Sequence, residues 1–460
     1  MASGGHDEEA GMEMNSPPGN DRSPEDAPGS LTLVGAVSLG TGVMIGAGIF
    51  ALTGQTARLA GNLFPVAFVV AAVVVAFSAY SYVKLSNAYP SWGGVAKFLR
   101  EAYGPGVATG VFAILMYVSM VISQSLVART FGAYVLQIVG LEPVSLWVPI
   151  FAVGLLVTAF VVNVAGNRAI EVSQRSMAAV KIVGLGLFAV LGLWLASAAN
   201  FTNGTTAAGI DTSVQGFLAA VALAILAYKG FTTITNSGGD IVDPHRNTGR
   251  AIILALSICT VIYLAIATAV AGNLTLPEIL AAEDFSLAEA ARPAVGSAGV
   301  WFTVILAIVA TASGVMASVF ASSRLLTMLT RMNQVPHRHF GMPGTVRIHA
   351  TVYTVAFAMA LAATLDLSRI AALGAIYYLI MDIAIHWGLL TRLRTRIDFN
   401  PAIVVIAIVL DVVVLAAFVW VRASTDMLSL YVAGAGIVLI VVGERVLMRS
   451  HTRPDGTMGM

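Results

Sequence analysis

The side chains best placed to do chemistry are a few ionisable residues embedded in long apolar runs. Lys229 stands in AILAYKGFTTITNSGG, followed at once by Gly230 and Phe231. A charged lysine at the centre of a bilayer costs about 2.5–3.5 kcal/mol on insertion scales, so it must face a cavity or a partner. Three roles are open to it: a structural lysine bonded to the carbonyls of its own helix, a contact for an anionic group of a ligand, or a carrier of protons. Lys181 lies a few residues inside another apolar run, where its stem could follow the helix and lift the ammonium to the interface. Asp382 and His386 are four apart and so share a helical face, either as a proton relay or as an interfacial hydrogen-bonded pair. Asp411, in a later run, is expected to pack against another helix. His245, His337 and His339 are loop residues without metal-ligand spacing. There is no HExxH, GxSxG or P-loop sequence, and no cluster of histidines and acids is expected inside the apolar runs. The chain is therefore not expected to be an enzyme, and neither a metal nor a cofactor is expected.

Membrane helices must position these residues. Of the 460 residues, 58% are hydrophobic and only 11% charged, with a mean hydropathy of +0.86. Soluble domains carry about a quarter charged residues, which excludes a soluble enzyme. Long unbroken apolar runs, in place of alternation, argue against a β-barrel. The single cysteine, Cys259, excludes a disulfide framework. A net charge of +1 says nothing about partners, and no nucleic-acid partner is expected. Residues 1–30 are rich in Gly, Pro, Ser and acids, which reads as a disordered acidic tail. They lack the basic and apolar regions of a signal peptide.

Twelve apolar spans follow, at 31–57, 63–83, 107–139, 144–165, 177–198, 214–238, 251–271, 300–326, 346–363, 370–390, 403–421 and 428–447. The fold class expected is all-α integral membrane with twelve transmembrane helices. With the N-terminus inside, 18 of the 25 Lys and Arg fall in cytoplasmic segments and four in external ones. Both termini are thus expected in the cytoplasm. The expected organisation is a tail at 1–30, a core at 31–396, helices 11 and 12 at 397–448, and a short tail at 449–460.

Two spans contain interruptions. The first reads LGTGVMIGAGIFALTG, where Gly42 and Gly46 also form a GxxxG packing pair. The sixth is broken at Lys229 and Gly230. Breaks at Gly48 and Gly230, five spans apart, point to an inverted-repeat transporter. A broken helix leaves free N–H groups on one half, suited to a carboxylate, and free carbonyls on the other, suited to an ammonium. Together they could hold both ends of an amino acid.

Four motifs in order carry a resemblance. MIGAGIFALTG, KLSNAYPSWGGVAKFLREAYGP at 84–105, GGDIVDPHRNTGRAI at 238–252 and SSRLLTMLTRMNQVP at 322–336 resemble those of the amino acid–polyamine–organocation (APC) transporter superfamily. The resemblance implies a LeuT-like five-plus-five inverted repeat with discontinuous helices 1 and 6, and helices 11 and 12 outside it. Gly239 and Asp240 stand where the family often has two acids, and Lys229 where it usually has a small, aromatic or aliphatic residue.

The resemblance further implies that VKIVGLGLF, at 180–188, puts Lys181 where sodium-coupled relatives hold an ion, with Thr311 and Ser313 as nearby hydroxyls. The expected function is secondary transport of amino acids across the cell membrane by alternating access, with the proton as coupling ion. Exchange of one amino acid for another is the alternative. A membrane receptor for amino acids is the rival from another class; it would need an output domain, and little chain follows Leu447. The expected substrate site comprises Ile45, Gly46, Ala47, Gly48, Tyr228, Lys229, Gly230 and Phe231. The carboxylate would meet amides of residues 46–48 and the ammonium carbonyls near Ile45 and Tyr228. Ser123 and Gln124 could add hydrogen bonds or serve as interhelical contacts. No acid appears in the apolar parts of helices 1, 3, 6 or 8, which argues for neutral or acidic amino acids. Oligomeric state is not legible.

Overall fold

Backbone in hydrocarbon must satisfy its own N–H and C=O groups, so apolar runs of this length fold as helices. The computed structural model describes residues 31–139, 146–165, 167–197, 213–332, 334–335 and 345–451. The acidic tail at 1–30, His337, His339 and residues 452–460 lie outside the described residues. The first half of the chain forms α1 (Leu33–Ala47), α2 (Ile49–Ala60), α3 (Phe64–Ala88), α4 (Gly94–Tyr103), α5 (Val107–Val139), α6 (Trp147–Val164), α7 (Asn167–Leu195), α8 (Val214–Tyr228) and α9 (Thr232–Asn236). The second half forms α10 (Pro244–Asn273), α11 (Leu276–Ala281), α12 (Ser286–Ala290), α13 (Arg292–Arg331), α14 (Val346–Thr364), α15 (Leu367–Arg392), α16 (Pro401–Thr425) and α17 (Met427–His451).

Among the described residues, ten helices are long and apolar enough to cross a bilayer. The first and fifth expected spans fall on two shorter apolar helices, Leu33–Gly46 and Val180–Leu195. Large apolar side chains face outward, such as Trp194, Val261 and Leu439, at 69–79% exposure. A soluble protein could not present such a surface; lipid can. The molecule is an all-α, multi-pass membrane protein.

Two membrane helices are interrupted where the glycine-rich and lysine-containing stretches foretold. Gly48 separates α1 from α2, and a 3-10 turn at Lys229–Phe231 separates α8 from α9. Packing keeps these breaks tight. A Cβ on Gly46 would lie 2.6 Å from the Ala310 carbonyl oxygen and 2.8 Å from Gly314 Cα on α13. One on Gly230 would lie 2.6 Å from the Met44 amide nitrogen. The small-residue packing role of the first motif is therefore real, and helix α1 is held backbone-to-backbone on two sides.

Three of the four motifs meet at one end of the bundle. Leu31 N–H donates to the Asp240 carbonyl (2.8 Å), and Val242 N–H donates back to Leu31 (2.9 Å). The Asp240 carboxylate accepts from Trp92 Nε1 at 2.7 Å and pairs with Arg324. Trp92 comes from the loop after α3, Asp240 from the segment after α9, and Arg324 from the C-terminal part of α13. Both side chains of the ion pair are 11% exposed, so removing one leaves a poorly solvated charge. Arg324→Ala is expected to speed amide hydrogen exchange in 31–33 and 236–242 by about tenfold, equivalent to ~1.4 kcal/mol of local opening. Unchanged exchange there would show that the pair does not hold this end closed.

Candidate functional site

The centre of the bundle gathers the two breaks, α5, α7, α10, α13 and α15. Lys181 is 1% exposed and donates from Nζ to Ser313 Oγ on α13 at 2.6 Å. Its stem does not run to the interface, so the snorkelling alternative does not hold. Ser313 adjoins Gly314, the residue against which Gly46 of α1 packs. Thr311 donates to the Ala307 carbonyl of its own helix at 2.6 Å. Lys181 thus joins α7 to α13 one residue from the α1 contact.

Lys229 is also buried. Its ammonium donates to Ser119 Oγ on α5 and lies 5.4 Å from the ring centroid of Tyr378 on α15. Among the described residues, no carboxylate is within ion-pair distance of it. A cation with one hydroxyl acceptor and an aromatic face has donor capacity left over. Lys229 does not bond the carbonyls of its own broken helix, which removes the structural alternative in that form.

Several backbone groups at the breaks have partners. Gly48 N–H donates to the Met44 carbonyl at 2.8 Å, and Lys229 N–H to the Leu226 carbonyl, because Gly48 keeps near-helical angles and the second break tightens into a 3-10 turn. The carbonyls of Met44 and Ala227, one residue before Ile45 and Tyr228, both accept from the Tyr263 hydroxyl of α10. Tyr263 therefore bridges the two broken helices where an ammonium was expected. Sequence reading missed it, since a lone tyrosine in an apolar helix looks like core. Tyr263→Phe leaves both carbonyls without that donor and is expected to lower stability by roughly 1–3 kcal/mol. A thermal unfolding midpoint equal to wild type would contradict this.

Several other expected site residues bond or pack against neighbouring helices. Gln124 bonds the Thr354 carbonyl of α14 (3.5 Å) and accepts from Ser322 of α13 (3.3 Å), which is the interhelical alternative. Tyr228 points its hydroxyl at the Phe68 carbonyl of α3 (3.4 Å), and its ring lies 4.9 Å from that of Tyr263. Phe231 packs edge-on against Tyr82 of α3 at 5.0 Å. Ser123 is buried on α5, one turn from Ser119. Ile45 is buried in α1, and Ala47 ends that helix.

A cavity of about 480 Å3 lies away from this centre. It opens at the end of the bundle opposite Asp240 and is lined by Gln55, Arg58, Glu283, Asp284, Arg369 and Arg422 among others. Arg58 pairs with Glu283 across its mouth. Burial raises the Asp284 carboxyl from its ordinary value, and the neighbouring Glu283 adds to the shift.

Known proteins resemble this one along most of its length. A family model described as "Amino acid permease" matches residues 31–442. The inner membrane transport protein YbaT of Escherichia coli K12 is 28% identical over 419 residues, covering 91% of this chain and 94% of that protein. The vacuolar cationic amino acid transporter 4 of Arabidopsis thaliana is 25% identical, covering 74% and 59%. The methylthioribose transporter of Bacillus subtilis strain 168 is 26% identical, covering 65% and 66%.

Proposed function

The chain belongs to the amino acid permease family of the APC superfamily, and from that premise we propose that it carries amino acids across the cell membrane by alternating access, driven by the proton. The single observation that carries the coupling is the Lys181–Ser313 hydrogen bond. A buried ammonium there can exchange one proton, and its charge strengthens the bond that ties α7 to α13. Loss of that proton weakens the tie one residue from the place where α13 meets α1. The helix that lines the substrate site is thereby sensitive to the protonation of Lys181.

The substrate would lie between the breaks, with its carboxylate toward Gly46, Ala47 and Gly48 and its ammonium toward the carbonyls that Tyr263 now covers. Opening of the site would release Tyr263 from Met44 and Ala227. Lys229, with no carboxylate beside it, favours a substrate that brings a negative group and disfavours a cationic side chain. Neutral or acidic amino acids fit this best, although one relative is named for cationic amino acids and another for methylthioribose. The concentration of Lys and Arg in alternate loops supports cytoplasmic termini.

Uptake of labelled neutral, acidic and basic amino acids into proteoliposomes, with methylthioribose as a competitor, tests the substrate class. Saturable uptake of neutral or acidic amino acids is expected. Uptake of basic amino acids alone, or inhibition by methylthioribose alone, would overturn the assignment. Uptake that demands preloaded internal amino acid would favour exchange. Ligand binding without flux would favour a receptor.

A further inference from the structure

A buried polar cluster lies between α3, α15 and α16, apart from the groups used above. His386 Nε2 sits 3.4 Å from Asp411 Oδ2 and 3.6 Å from Asp382 Oδ1, and all three side chains are at most 1% exposed. Asp382 and His386 share a face of one helix, and the fold brings in Asp411 from another helix, 29 and 25 residues away in the chain. Asp382 is well solvated by protein: Tyr82 donates to Oδ1 and Ser78 to Oδ2, each at 2.7 Å. Asp411 is not. Neither of its oxygens, and neither His386 nitrogen, has a hydrogen-bond partner at ordinary geometry.

The charge balance is decisive. With every group deprotonated the cluster carries two negative charges in a buried helix interface, which no array of neutral dipoles this small can hold. The neighbouring titratable groups do not supply the missing positive charge directly. Tyr82 on α3 and Tyr378 on α15 are neutral phenols, and Tyr103 on α4 is engaged with the Ala384 carbonyl. Glu444 on α17 lies against Gly110 of α5. Lys229 stands over the ring of Tyr378, one helical turn before Asp382. A metal ion would need an entry path and further ligands, and both Asp382 oxygens are already engaged by hydroxyls. A proton needs no further ligands.

We propose that Asp382, His386 and Asp411 form a buried proton-binding site that holds two protons, one on His386 and one on Asp411, with Asp382 as the fixed anion. The site joins α16 to α15, and Tyr378 places it next to the amine of Lys229. It does not depend on which ion drives transport.

Infrared spectra of the full chain in lipid nanodiscs at neutral pH read protonated carboxyl groups directly. The wild type is expected to show such a band, and Asp411→Asn to lose that component. In His386→Gln both carboxyls must take a proton, so the component is expected to grow roughly twofold. Each variant reads the site by itself should the other fail to fold. A carboxyl band unchanged by the substitutions overturns the proposal. One equivalent of transition metal in the purified protein, by elemental analysis, overturns it as well.

Discussion

Lys181→Ala is expected to collapse pH-gradient-driven accumulation of substrate by roughly 5- to 150-fold, the range of a coupling free energy of 1–3 kcal/mol. The reason is local. The ammonium is buried, its hydrogen bond goes to Ser313, and Ser313 adjoins the glycine that meets α1. Without a group that takes up and releases a proton there, flux down the substrate's own gradient can continue while uphill transport cannot. Equilibration of labelled substrate across the membrane should therefore survive in the variant. Full accumulation by Lys181→Ala, still abolished by a protonophore, would move proton coupling to another residue. Lys181→Arg keeps the charge but cannot give up its proton at working pH, so it is expected to fail in accumulation too.

Gly46→Ala is the second large effect. The added Cβ would meet the Ala310 carbonyl oxygen at 2.6 Å and Gly314 Cα at 2.8 Å, both backbone positions that cannot rotate away. Overpacking of this kind costs about 1–3 kcal/mol. The strain falls where α1 must approach α13, so transport is expected to drop by at least tenfold, beyond what the lost stability alone explains. Uptake per folded molecule, normalised by gel-filtration recovery, separates the two. Wild-type uptake with a normal melting midpoint would show that the α1–α13 contact can relax.

Much of the scaffold could be read from the sequence because hydrocarbon allows so few solutions. The apolar run at 107–139 is α5 to the residue, and the breaks fall at Gly48 and at Lys229–Phe231. The pairing of Lys181 with Ser313 was readable only through resemblance, since 132 residues separate them. Directions of side chains were not readable. Lys229 was singled out by its cost in a bilayer, yet nothing in its spacing says that it faces Ser119 and Tyr378 instead of its own carbonyls. Gln124 could equally have faced the breaks or α13 and α14; helix rotation decides, and that depends on packing by all neighbours.

Contacts between distant motifs were hidden for a related reason. Trp92, Asp240 and Arg324 each sit in a recognisable motif, but their convergence is a property of the assembled bundle. Tyr263 was overlooked because its hydroxyl has meaning only beside two helix breaks. Asp411 is expected from the sequence only to pack against another helix, and the fold sets it beside Asp382 and His386.

The measurement closest to the central claim is proton movement evoked by substrate. Proteoliposomes containing the protein and an internal pH indicator, with no imposed gradient and no internal amino acid, are exposed to an external neutral or acidic amino acid that the protein takes up. Acidification of the lumen that saturates with the amino acid, and that is absent from protein-free vesicles, is predicted. Uptake of the same amino acid with no change in internal pH would contradict proton-coupled transport.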